Sequence, residues 1–173
     1  MKVWSCVAQL CLVALALHGP AALASTATPA QEATGNATII RPLTITKVKD
    51  MDFGFLATST AGTAVLDPDT DSLSVTGGVT LVGGSAHSAE FVGAAQSNSV
   101  VNIKVPKQPS TLTRVGGTET MTASNFTLQG GLSKRALAKA DSFTFRVGAT
   151  LNVAGGQAEG TYIGTFDVTV QYP

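Results

Sequence analysis

Few side chains in this chain could do chemistry, and their spacing narrows the field further. Asp67-Pro68-Asp69-Thr70-Asp71 sets three carboxylates at alternate positions, which invites a calcium reading. An EF-hand loop starting at Asp67 needs glycine at its sixth place and a bidentate glutamate at its twelfth, where Ser72 and Gly78 stand. The run is therefore read as a turn with solvated acids, and no metal ligands are assigned. A Ser/His/Asp hydrolase needs a histidine oriented by a carboxylate. Beyond Ala24 the only histidine is His87, in the small-residue loop Gly83-Gly84-Ser85-Ala86-His87-Ser88. Both cysteines, Cys6 and Cys11, lie before Ser25, so the rest of the chain offers no thiol nucleophile and no zinc set of Cys and His.

The remaining candidates are weaker. Asp52-Phe53-Gly54 has the letters of a magnesium-holding kinase loop, but none of the other kinase signatures accompanies it; Phe53 is read as core and Gly54 as a bend. Gly77-Gly78 and Gly83-Gly84 bracket a short apolar run and precede no helix, so they are turn glycines and not a phosphate cradle. Lys134, Arg135 and Lys139 fall in Leu132 to Ala140, the one stretch of helix-like composition, read as a helical turn or two or a solvated basic loop. Paired carboxylates in a glycosidase-like cleft stay open as a third-ranked alternative. Against it, the only Trp is Trp4, and Tyr162 and Tyr172 share the apolar face of one strand. No catalytic residue and no cofactor is assigned, and the chain is expected not to be an enzyme.

Compartment and charge point the same way. Met1 to Ala24 carries Lys2, then the mostly apolar run Val7 to Leu17, then Ala22-Leu23-Ala24: the pattern of a secretory signal cleaved before Ser25. The apolar run is too short for a membrane span, so no transmembrane segment is expected after signal removal. The expected location is periplasmic, then cell-surface or extracellular. The remaining chain has ten Lys and Arg against eleven Asp and Glu, a net charge of −1, with no basic stripe for nucleic acid. It has no cysteine, so no disulfide holds it, and its stability must come from a core.

That core is built from strands. Ala, Gly, Thr, Ser and Val dominate, broken by Gly, Asn, Asp and Pro, the composition of an all-β sandwich. Ser25 to Asn36 is a small, polar leader. The domain proper is expected from residue 37 to 173. Ala37 to Val48 is the first strand, with Ile39, Leu43 and Ile45 on one face, Arg41 between them, and Pro42 marking an edge or break. Short strands follow at Gly62 to Leu66 and Val79 to Val82. Ala89 to Ala94 and Ser99 to Val105 are expected to form a hairpin, as are Thr111 to Val115 and Glu119 to Ala123; Asn125 to Gln129 is a further short strand. Ser142 to Val153 alternates Phe143, Phe145 and Val147 inward, with a bulge expected at Gly148.

The last run, Gly160 to Tyr172, is the longest alternating one. Tyr162, Gly164, Phe166, Val168, Val170 and Tyr172 share one face, while Ile163, Thr165, Asp167, Thr169 and Gln171 share the other. This predicts a half-buried strand of roughly 40 Å. Only Pro173 follows it, so one of its edges has no later strand to pair with.

That terminus, with its penultimate aromatic Tyr172 and a glycine, Gly160, fourteenth from the end, resembles the C-terminal motif of bacterial chaperone–usher pilus subunits. The resemblance implies an immunoglobulin-like β-sandwich lacking its final strand. A periplasmic chaperone lends that strand before an outer-membrane usher exchanges it for the N-terminal extension of the next subunit. It implies a groove lined by Gly160, Tyr162, Gly164, Phe166, Val168, Val170 and Tyr172, with Pro173 offered to the chaperone. Gly160 and Gly164 would make room for donor side chains. The donor would present Ala33, Gly35, Ala37 and Ile39, small residues that bury little area. Arg41-Pro42-Leu43-Thr44-Ile45, Asp52-Phe53-Gly54, Gly77-Gly78-Val79-Thr80, Met121-Thr122 and Gly160-Thr161-Tyr162 also resemble a bacterial secreted β-domain family known as domain of unknown function 4402. The expected function is a structural subunit of a pilus- or fimbria-like surface fibre, its partners copies of itself or related subunits. The alternative is a complete secreted β-sandwich, an adhesin or other binding module that does not polymerise.

Overall fold

The computed structural model describes residues 32–130 and 135–173. The signal segment, residues 25–31 of the leader, and Lys134 lie outside the described residues. Thr38–Pro173 forms one compact unit, separate from an N-terminal unit ending at Ala37. Eleven strands run in chain order: β1 (Thr44–Lys49), β2 (Phe55–Asp67), β3 (Ser72–Gly83), β4 (Ala89–Ala94), β5 (Val100–Lys104), β6 (Ser110–Arg114), β7 (Thr120–Leu128), β8 (Arg135–Leu137), β9 (Ser142–Val153), β10 (Tyr162–Ile163) and β11 (Thr169–Gln171). The described residues contain no helix, and every strand pair is antiparallel.

The long strand β9 organises the larger sheet, in the order β1-β4-β9-β7-β6-β10. Its first half pairs with β4 (Phe143 opposite Gly93, Phe145 opposite Phe91), and its second half pairs on one edge with β2 and on the other with β7. The inward parity runs unbroken from Phe143 to Val153, all at odd positions. The bulge expected at Gly148 lies instead on β7, where the register shifts between Ser124 and Thr127 around Asn125, which has positive φ. Gly148 serves a different need, since a Cβ there would lie 2.2 Å from the Leu66 carbonyl oxygen.

A smaller sheet, β11-β5-β8, covers one face. Val101 and Ile103 of β5 and the buried Ala138 meet Phe91, Phe143, Phe145, Val147 and Leu128 of the larger sheet in one core. This is a two-layer β-sandwich, with Phe91 and Phe145 stacked at 5.2 Å near its centre. The hairpin expected between the fourth and fifth strands is not formed. β4 belongs to the large sheet and β5 to the small one, and the link between them crosses layers, because both faces of the core need an apolar strand. The basic stretch is not helical over Arg135–Leu137, which pairs with β5.

The hairpin β2–β3 is curled. A straight thirteen-residue strand such as β2 would span roughly 40 Å. Yet its Phe55 end follows Asp52, which exchanges backbone hydrogen bonds with His87, and its Asp67 end accepts from the hydroxyl of Ser88 next door. Both ends are held close to one spot, so the ribbon must bend. It does so between Thr58 and Gly62, where the register with β3 shifts. Gly77, at φ +67°, faces this corner, and a Cβ there would lie 2.4 Å from the Ala61 carbonyl oxygen. The bend lets Val79 join Ala64, Leu151 and Val153 in a second, smaller core. Gly77→Ala is expected to cost at least about 2 kcal/mol, from left-handed strain plus the clash. It should lower the urea midpoint of unfolding; an unchanged midpoint would contradict the corner's role.

Candidate functional site

Local chemistry splits the predicted terminal strand in two. β10 pairs with β6, Tyr162 opposite Arg114, while β11 pairs with β5, Val170 opposite Ile103. Gly164 to Val168 forms no strand and carries the chain from the large sheet to the small one. The crossing passes tightly over β6, since a Cβ on Gly164 would lie 2.5 Å from the Thr111 carbonyl oxygen. At Gly160, φ +144°, the same space is taken by the Arg114 side chain, 2.9 Å away. The room these two glycines make is thus filled by the protein's own β6, its backbone at Thr111 and the aliphatic stem of Arg114. Tyr162 is half-buried and donates to the Ala158 carbonyl at 2.7 Å.

The other predicted groove residues do converge. Phe166 anchors the crossing, edge-on to Phe91 at 6.4 Å and tilted on Phe126 at 5.1 Å. Val168, Val170 and Tyr172 follow it, partly buried against the main core. From the opposite layer Leu43 and Ile45 reach the same core, also partly buried. Among the described residues, β1 is the last strand of the large sheet and pairs only with β4, and β11 is the last of the small sheet and pairs only with β5. The two unpaired edges lie on one side of the sandwich, tied at one end by Tyr172, whose hydroxyl donates to the Arg41 carbonyl at 2.9 Å. Between them runs a seam floored by six half-buried apolar side chains. Covering it would gain roughly 0.5 kcal/mol per side chain from area still exposed, and about 1 kcal/mol for each ladder hydrogen bond formed.

The end of the seam holds residues that no local sequence pattern announces. The Gln96 amide donates to the Tyr172 oxygen at 2.9 Å, and the Arg41 guanidinium meets the Asp141 carboxylate at 2.7 Å. Together with the Tyr172–Arg41 bond, these contacts join positions up to 131 residues apart. Of the proposed donor residues, Ala33, Gly35 and Ala37 are exposed and form neither helix nor strand, and Ile39 is 98% exposed.

The three turn carboxylates prove to be fasteners. Asp67 accepts from the Asp69 amide, Asp69 from the Gly130 amide, and Asp71 from the Ser88 amide. The Ser88 bond holds the Asp71 carboxyl below its ordinary range, and the Asp69 bond does the same for Asp67. His87 contributes its backbone to the bridge with Asp52, while its Nδ1 has no hydrogen-bond partner. Beside the crossing segment, Lys104, Pro106, Lys107, Gln108, Thr165 and Asp167 border an open cavity of about 420 Å³.

The chain belongs to the family described as Domain of unknown function (DUF4402), whose model matches residues 43–172. That span begins with the Leu43 that lines the seam and ends on Tyr172. No curated protein matches the chain.

The support under Gly160 sets a pH dependence. Glu119 takes two hydrogen bonds from the Arg114 guanidinium, at 2.7 and 3.0 Å, which bring its carboxyl down from 4.5 to about 2. The folded-state pKa is the lower one, so this contribution is full above about pH 4.5 and fades as pH falls toward about 2. In urea titrations the stability gap between the parent and Glu119→Gln should be widest above pH 4.5 and shrink toward pH 2. A gap constant across that window would contradict the pairing.

Proposed function

We propose that this family member is a structural subunit of a bacterial surface fibre, assembled by strand donation into the seam between β1 and β11. In this reading the sandwich is immunoglobulin-like and lacks its final strand. The N-terminal leader of a neighbouring copy or related subunit supplies it, after export by the N-terminal signal. A periplasmic chaperone would cover the seam beforehand, gripping the β11 edge and Pro173, and an outer-membrane usher would oversee the exchange. The protein would work by mechanical assembly, without catalysis or cofactor.

The observation that carries this reading is the seam itself. Two edges, joined at one end by the Tyr172–Arg41 bond, have no neighbour among the described residues, and six apolar side chains beside them are only half buried. Exposed edges of this kind invite a further strand. A second reading, a complete binding module that holds a ligand through its loops, is favoured by the cavity between Lys104–Ser110 and Thr165–Thr169.

The exported protein should form concentration-dependent oligomers in light scattering. Val170→Lys, which sets an ammonium on the seam floor, should abolish them. The monomer should stay folded, its thermal midpoint falling by no more than about 5 °C, because the lysine stem can lie along the apolar surface. A parent protein monomeric at every concentration would sink the fibre reading and favour the binding module.

A further inference from the structure

We propose that Tyr172, Arg41 and Asp141 form a clasp that keeps the leader out of the protein's own seam and leaves it to a second copy. This rests on the strand-donation reading above. The argument is one of direction. Thr44 at the start of β1 pairs with Ala94 at the end of β4. Gln96, two residues on, bonds the hydroxyl of Tyr172, and Arg41 meets Asp141, which neighbours Ser142 at the start of β9. These residues therefore gather at one end of the sandwich. β1 runs away from that end, and β11 runs toward it.

For self-insertion, the chain ahead of β1 would have to reverse at Thr38 to Arg41. Tight reversals need positive φ, which Gly and Asn take readily and β-branched Ile39 and Ile40 do not. Pro42 holds Arg41 in the extended region. The clasp then fixes Arg41 twice: its carbonyl accepts from Tyr172, and its guanidinium pairs with Asp141. The first upstream residues suited to a tight turn are Gly35-Asn36. A two-residue hairpin there would set Thr34 opposite Ala37 and Ala27 opposite Thr44. The protein's own leader, if it begins at Ser25, could then cover only the start of β1. A second copy's leader meets no such limit and can lie along the whole seam. Its small Ala33, Gly35 and Ala37 suit a seam already filled by Phe166 and Tyr172, while Ile39 provides the one bulky anchor. Each copy then gives at one end and receives along its side, a heterologous contact that propagates without closing.

Beyond Cys11 the sequence has no cysteine, so introduced thiols are the only ones in the exported protein. Ala33→Cys with Val170→Cys, placed together in the full chain and oxidised after export, should give ladders of linked copies on non-reducing gels. Adding Tyr172→Phe, or independently Arg41→Gln, should raise the share of linkage within single chains roughly fivefold, the weight of about one hydrogen bond. Two unrelated variants guard against a folding defect in one. Ladders unchanged by both variants would overturn the clasp while leaving strand donation standing. Linkage mainly within single chains of the parent would overturn it too. No linkage in any background would overturn strand donation and the clasp with it.

Discussion

Backbone groups at a sheet edge need partners, and apolar side chains beside them need cover; among the described residues, the outer edges of β1 and β11 have no partner strand. The large sheet ends at β1 and the small sheet at β11. Phe91, Phe143 and Phe145 fill the centre between the layers, but Leu43, Ile45, Val168, Val170 and Tyr172 packed against them are only partly buried. Much of the rest of the structure prepares these edges. The crossing Gly164 to Val168 shifts the chain from one layer to the other, so that its final strand faces the core from opposite β1. The Asp71 and Asp69 bonds hold the turn of the curled β2–β3 hairpin against the start of β4 and the end of β7.

The energies involved are small. Six partly covered side chains offer about 3 kcal/mol of further burial, and a handful of ladder bonds adds a similar amount. Ordering a leader of about ten residues costs on the order of 10 kcal/mol when it is free, and less when neighbouring copies hold it nearby. Under the proposed strand donation, a balance this close would leave geometry to decide which leader is taken. The Arg41, Asp141 and Tyr172 contacts matter for that reason.

For β9 and the β6–β7 hairpin the sequence was a faithful guide. β9 runs from Ser142 to Val153 as its pattern predicts, and the β6–β7 hairpin forms around Gly116-Gly117. Phe166, Val168, Val170 and Tyr172 share a face as their period-two spacing requires. Layer assignment was illegible, because alternation says which side chains face inward and nothing about which sheet a strand joins; hence the missed crossing at Ala95 to Ser99. The break at Gly164 was hidden because the alternation continues through it. The curl of β2 was hidden because its cause lies in Asp52, His87, Asp71 and Ser88, held together by contacts distant in sequence. The Arg41–Asp141 pair, a hundred residues apart, had no local signal at all.

The most direct measurement is thermal unfolding of two versions of Ser25 to Pro173. One ends at Pro173; the other continues through a flexible linker into a second copy of Ser25 to Val48, offering the seam a strand from the same chain. If the seam lacks a strand, the extended version should unfold at least about 5 °C higher and lose the oligomers of the plain one. Equal midpoints, with a plain chain already monomeric and cooperative, would show that the sandwich is complete as it stands.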